Sequence, residues 1–211
     1  MNFEERVIEL NSEINEKACL NKRSALFLDR DGVIIKDVGY ISKAEDVTLE
    51  IGIIDLLEFV SKLNIPVFIV TNQSGISRGY YDWNDFDLVN QKMLAIIGMK
   101  SSIEAIFANS HIESSIYNWR KPNPEMIICA SKIYNLNVMK SIMVGDRLSD
   151  MIAGCRSGIK TIIHVKTGHG KNEYKSILKF CENGIFKVDN MKSNIIFINN
   201  LLEFPYEIFT N

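Results

Sequence analysis

Ala25-Leu26-Phe27-Leu28-Asp29-Arg30-Asp31-Gly32 is the stretch on which the reading of this chain turns. An apolar run stops at two carboxylates two positions apart, and a glycine follows. Side chains alternate along an extended segment, so Asp29 and Asp31 would point to the same side while Gly32 lets the backbone turn sharply away. One carboxylate could then attack an electrophile and the other handle a proton. A strand running into an ordinary acidic turn is the plain alternative, because Asp and Gly are common turn residues.

Further apolar runs at 66–71, 103–108, 141–145, 160–165 and 185–188 join 25–29 as strand expectations. Helical patterns separate or follow them over 51–63, 83–98, 123–135, 148–157, 171–182 and 193–203, with Asn123 as an N-cap and Pro124 at a first helical position. Continuous apolar strands alternating with helices imply an α/β fold with a doubly wound parallel sheet covered on both faces. Ahead of it, Phe3, Val7, Leu10, Ile14 and Ala18 recur at helical spacing, so residues 1–23 read as an N-terminal helical extension and 24–211 as a single domain.

The 211 residues, 46% hydrophobic and 24% charged, suit one soluble domain. A net charge of -2 provides no global attraction for nucleic acid or anionic membrane. No apolar run is long enough to span a bilayer, and the acidic start MNFEERVIELNSEINEK does not look like a secretory signal. A cytoplasmic monomer acting on a small molecule is the expectation. Cys19, Cys129, Cys155 and Cys181 form no CxxC pair, so neither a zinc cluster nor a disulfide framework is suggested.

Ligands of doubly wound sheets bind beyond the carboxyl ends of the strands, where the residues after each strand converge. Here those are Asp29 and Asp31, then Thr71-Asn72-Gln73-Ser74-Gly75, then Gly145-Asp146 with Asp150. Thr71, Asn72 and Ser74 offer donors suited to phosphate oxygens. Crowded carboxylates repel unless a cation sits among them, and Mg²⁺ suits oxygen-only ligands and a phosphate substrate. A helix cap is the alternative role for Asp146. Arg120-Lys121-Pro122 places two cations before a helix, near the same rim. Together these groups describe phosphoryl transfer through an aspartyl-phosphate, with Asp29 as nucleophile, Asp31 as acid and base, and Lys121 offsetting charge on the phosphoryl oxygens. A phospho-accepting receiver-like domain is the non-hydrolytic alternative, although storing a phosphate needs no second carboxylate on the same turn.

Asp29-Arg30-Asp31-Gly32, Thr71 through Gly75, Arg120-Lys121-Pro122 and Gly145-Asp146-Arg147-Leu148-Ser149-Asp150 together resemble the haloacid dehalogenase (HAD) superfamily of phosphatases. Within it, Asp37, Gly39-Tyr40-Ile41, TNQSGISRG, RKPNPEM and MVGDRLSDM are similar to the heptose-1,7-bisphosphate 7-phosphatase family, and the resemblance spans residues 24 to about 168. It implies a magnesium phosphatase with a HAD-like Rossmannoid fold. By that resemblance Thr71 and Asn72 bind phosphate, Arg120 binds substrate, and Mg²⁺ lies on Asp29, the main-chain carbonyl of Asp31, and Asp146, with Arg147 beside them. Only about forty residues separate the first motif from the second and about fifty the second from the third, so the site should be capless and open. Loops 36–46, 75–82 and 109–120 would then set specificity, with Arg78 and Tyr40 as contacts, and His169 is expected in an exposed loop. Members of the family usually carry a CxH…CxC zinc loop before RKP. This chain keeps His111 but has Asn109, Tyr117 and Trp119 where the cysteines would stand, so no structural zinc is expected, and Tyr117 and Trp119 would pin the loop by packing. The loop's length is similar to that of histidinol-phosphate phosphatases, which makes that substrate the alternative.

Overall fold

Leu26, Phe27 and Leu28 are fully buried, and their alternation divides the core: Leu26 and Leu28 join one apolar cluster, Phe27 the other. The computed structural model, which describes residues 4–10, 22–98, 101–114 and 118–209, builds a sheet between those clusters. In chain order its elements are β1 (Glu5–Glu9), β2 (Leu26–Leu28), α1 (Ile53–Lys62), β3 (Val67–Asn72), α2 (Ser74–Ser77), α3 (Trp83–Ile97), β4 (Ile103–Asn109), α4 (Glu125–Ile133), β5 (Ile142–Gly145), α5 (Leu148–Ser157), β6 (Thr161–Val165), α6 (Gly170–Leu178), β7 (Cys181–Glu182), β8 (Ile185–Val188) and β9 (Met191–Ile198). The strand order is β1-β4-β3-β2-β5-β6-β9-β8-β7. Strands β4, β3, β2, β5, β6 and β9 run parallel, with β1 and the β8–β7 hairpin antiparallel at the edges.

Helices α1 and α3 cover one face through Ile53, Leu56, Leu57, Val60, Phe86, Val89 and Met93. On the other, α4, α5 and α6 contribute Met126, Ile127, Ala130, Met151, Cys155 and Ile177. The chain winds from β2 to β3 and β4 on one side, then returns to β5 and β6 on the other, so β2 marks the point where the winding reverses. That is where an open α/β sheet forms a crevice at its carboxyl edge. Among the described residues, the 30–52 segment folds back through short bridges between Asp31, Ile35 and Leu49, and 73–98 is α2 and α3. Neither forms a separate cap.

Four expectations need correction. Residues 5–9 form a strand, not the first turns of a helix, and the rest of that helical pattern, 11–21, lies outside the described residues. β1 pairs with the open edge of β4, Val7 opposite Phe107 and Ile8 opposite Ile106, and these neighbours pack on opposite clusters. Burial of adjacent residues on opposite faces is the period of a strand. Likewise 193–203 is not a helix: β9 runs to Ile198, paired with β6 and joined to β8 by a tight turn in which Asp189 has φ 52. Its β-branched Ile195, Ile196 and Ile198 favour that pairing. Finally, Asn123 is not an N-cap; α4 starts after Pro124, and the Asn123 amide donates to the Asn118 carbonyl at 2.9 Å. The helix expected over 171–182 ends at Leu178, ahead of β7.

No helix among the described residues is long and apolar enough to cross a membrane.

Candidate active site

Asp29 leaves the end of β2 into a cavity of about 380 Å³, lined among others by Asp31, Asp37, Tyr40, Asn72, Arg120, Lys121, Arg147, Asp150 and His169. Two donors fix it, both through Oδ1: the Arg30 N–H at 2.8 Å and Lys121 Nζ at 2.9 Å. Among the described residues no donor reaches the second carboxylate oxygen. Lys121 is buried, and its ammonium also meets Asp150 Oδ1 at 2.5 Å and donates to the Val70 carbonyl at 2.8 Å. Burial opposes its charge, but Asp150 and Asp29 outweigh that and raise its pKa. The third motif is tied to the second by a reciprocal pair: Asn72 Nδ2 donates to the Lys121 carbonyl at 3.1 Å and Lys121 N–H to Asn72 Oδ1 at 3.0 Å.

Asp146 follows β5 and is fully buried. Its Oδ2 accepts the His169 N–H at 2.7 Å, while its Oδ1 is buried with no hydrogen-bond partner among the described residues. Glycines make room for it: a Cβ on Gly32 would lie 2.6 Å from Asp146 Oδ2, and one on Gly168 would meet the same oxygen. His164 Nε2 lies 3.0 Å from the Asp146 carbonyl oxygen. Carboxylate oxygens of Asp29, Asp146 and Asp150 lie within 4.8 Å of one another. Burial first, then the Asp150 and Asp29 charges, pushes Asp146 up to about 9. Burial likewise raises Asp29 to about 7, with Lys121 opposing and Asp150 and Asp31 adding. Three crowded carboxylates with an orphaned oxygen fit a hard divalent cation such as Mg²⁺.

Not every expected group arrives as read. The side-chain carboxylates close enough to share a cation are Asp29, Asp146 and Asp150; Asp31, expected there through its main-chain carbonyl, turns its side chain to Arg30, 3.1 Å from Nη2, and accepts from Gln73 Nε2 at 2.8 Å. Arg30 itself is fully buried, donates to Asn90 and Gln73, and stacks on Phe86 at 5.0 Å. Thr71 is buried and its hydroxyl oxygen accepts from Gln73 Nε2 at 2.7 Å; it does not line the cavity. Arg78 is exposed and off the cavity lining, although its charge, after burial and Arg147, lowers the pKa of Arg120.

Asp150 stood in the sequence as one more strand-end carboxylate without an assigned role. Its signal was the four-residue spacing from Asp146, which sets it in the first turn of α5, where its Oδ2 accepts the Arg147 N–H at 2.9 Å. Asp37 was read only as part of the family likeness, with no role of its own. Though carried on a loop, its side chain is 5% exposed and bridges Arg147 Nη2 at 3.3 Å and His169 Nε2 at 3.0 Å, so His169 belongs to the cavity wall. In the 109–120 loop, Asn109 Nδ2 lies 2.8 Å from His111 Nδ1, and Trp119 lies against Phe107 with ring centroids 6.0 Å apart. Tyr117 lies outside the described residues.

The sequence model for haloacid dehalogenase-like hydrolases matches residues 32–164. D-glycero-beta-D-manno-heptose-1,7-bisphosphate 7-phosphatase of Helicobacter pylori (strain ATCC 700392 / 26695) is 37% identical over 143 residues, covering 67% of this chain and 83% of that one. D-glycero-alpha-D-manno-heptose-1,7-bisphosphate 7-phosphatase of Photorhabdus laumondii is 37% identical over 191 residues, covering 87% and 98%. Among solved structures, D,D-heptose 1,7-bisphosphate phosphatase from B. bronchiseptica, complexed with magnesium and phosphate, superposes with a TM-score of 0.75 at 22% identity, covering 89% of this chain and 98% of that one.

Proposed function

The chain belongs to the haloacid dehalogenase-like hydrolases and is a phosphomonoester hydrolase, and from that premise we propose that it removes the 7-phosphate of a D-glycero-D-manno-heptose 1,7-bisphosphate in the cytoplasm. The observation that carries this reading is Asp29, held through one oxygen by Lys121 and Arg30 beside the Asp146–Asp150 pair, at the strand where the winding reverses. The cationic rim of Arg120 and Arg147 suits a substrate with a second anionic end. Membership of a hydrolase family sets the receiver-like alternative aside.

Asp29 attacks phosphorus in line and becomes an aspartyl-phosphate as the bond to the sugar oxygen breaks. Asp31 gives its proton to that leaving oxygen, then takes one from the water that cleaves the acyl-phosphate. Gln73 and Arg30 hold Asp31 at the cavity wall between those two transfers. Lys121 fixes Asp29 and offsets charge developing on the phosphoryl oxygens, and Asn72 offers its amide to them. Asp29, Asp146 and the main-chain carbonyl of Asp31 would hold Mg²⁺, with Asp150 adjoining. Bound there, the cation polarises the phosphoryl group and neutralises its charge. No structural zinc is part of this reading.

A panel of kcat/KM values for both anomers of the heptose bisphosphate, histidinol phosphate and simple sugar phosphates tests the assignment. The heptose bisphosphates should exceed the others by at least about a hundredfold. Equal or greater turnover of histidinol phosphate would sink the substrate reading. Asp29→Asn should abolish turnover of every member, and retained hydrolysis would remove Asp29 as nucleophile.

A further inference from the structure

We propose that Glu5 is a positioning residue for Arg120, with the start of β1 and the residue before it acting as a clamp on both ends of the segment that brings this arginine to the cavity rim. The inference rests on the phosphatase reading of that cavity. Glu4, just ahead of β1, and Glu5, its first residue, reach the segment. The Glu4 carbonyl accepts Ser110 N–H at 2.7 Å and Ser110 Oγ at 3.1 Å, and the Glu4 carboxylate pairs with the His111 imidazole. At the other end, Glu5 Oε1 accepts the Trp119 N–H at 2.8 Å, one residue before Arg120. The two ends then meet, because Arg120 Nη1 donates to the His111 carbonyl at 2.9 Å.

A clamp is needed here for an electrostatic reason. Burial first, then the charges of Arg147 and Arg78, disfavours the Arg120 cation where it stands. Like charges would drive a free side chain outward to water, so its place on the cavity wall depends on a fixed backbone. Glu5 supplies an acceptor from outside the segment, on a strand that is itself anchored. β1 is registered on β4 from Glu5–Asn109 to Glu9–Ala105, and Arg6 ties it to α3 through Asp87 at 2.8 Å and the Trp83 ring at 5.6 Å. β1 therefore links the sheet edge farthest from β7 to the substrate end of the site.

The test compares Glu5→Ala and Glu5→Gln, alone and with Arg120→Ala, on the heptose bisphosphate and on p-nitrophenyl phosphate, whose only phosphate is the one transferred. Glu5→Ala should raise KM for the bisphosphate roughly tenfold, the size of one weakened charge-assisted contact, and leave kcat/KM for the aryl phosphate within about twofold. Glu5→Gln keeps an acceptor oxygen and should restore the wild-type KM. The double variant should bind the bisphosphate no worse than Arg120→Ala alone. An unchanged KM in Glu5→Ala, an equal loss on both substrates, or full additivity with Arg120→Ala overturns the positioning role. Wild-type protein that turns over neither substrate overturns the phosphatase reading and this inference with it.

Discussion

Lys121 Nζ stands 2.9 Å from Asp29 Oδ1, so the buried ammonium and the carboxylate proposed as nucleophile form one unit, with Asp150 closing it from the other side at 2.5 Å. The unit has two consequences, one for catalysis and one for folding. Lys121→Met keeps the apolar stem and removes the charge. It should lower kcat by roughly 10²–10³, the usual effect of losing one preorganised group that offsets transition-state charge. It should also destabilise the metal-free fold by about 3–5 kcal/mol, because two buried carboxylates lose their partner. Steady-state kinetics and denaturant unfolding check the two effects separately. A kcat within tenfold of wild type would show that the lysine only supports packing.

The shifted carboxylates predict how stability depends on pH. Burial and neighbouring charge raise Asp29 from 3.8 to about 7 and Asp146 from 3.8 to about 9 in the fold. A raised carboxyl pKa means the native state holds protons that the unfolded chain has released, so this stabilisation is complete below about pH 4. It is lost as pH rises through about 7 and then about 9. In EDTA, Tm should therefore fall between pH 5.5 and pH 9. Mg²⁺ binds the deprotonated carboxylates, so the rise in Tm that it produces should grow over the same interval. Thermal unfolding at three pH values with and without Mg²⁺ decides it. A magnesium increment that shrinks with pH would contradict the carboxylate site.

Much of this site was legible in the sequence, and the reasons differ by residue. Asp29 and Asp146 could be read because strand-end position and residue type together specify them, and Lys121 because it stands in an Arg-Lys-Pro run just before a helix. Asp31 was legible only as a position. Its side-chain direction depends on Arg30 and Gln73, and a fully buried arginine braced on Phe86 leaves no pattern in one sequence. Asp37 and His169 meet across 132 residues of chain, through loops whose path no local periodicity fixes. The N-terminal strand was misread for a related reason: Val7 fits a helical stripe equally well, and only the open edge of β4 selects the extended form. β9 was misread because a run of isoleucines near the end of the chain satisfies both periods, and its partner β6 decides between them.

Zinc content offers a separate check on the 109–120 loop. Asn109 engages His111 through its side chain, and Trp119 packs on Phe107, so the residues at these positions already have partners of their own. Protein purified without chelator should carry less than about 0.1 zinc per chain by elemental analysis, and its Tm should be indifferent to a zinc chelator at neutral pH. About one tightly held zinc per chain would mean that the loop is organised by ligands other than these.

Gly168 tests whether the room around Asp146 is functional. Its φ is +49, and an added Cβ would meet Asp146 Oδ2 and crowd the Gly32 backbone at 2.7 Å. Gly168→Ala should thus move the Asp146 carboxylate and weaken Mg²⁺ activation, raising the magnesium concentration for half-maximal rate by about tenfold or more. Backbone strain alone would also destabilise the protein, so Gly184→Ala serves as the control: its φ is +76, and nothing lies within 4 Å of the added methyl. Each change should cost about 1 kcal/mol from the left-handed conformation, but only Gly168→Ala should alter the magnesium dependence. If both variants respond to Mg²⁺ as the wild type does, Asp146 is not confined by this glycine cradle and its proposed part in holding the cation loses its geometric support.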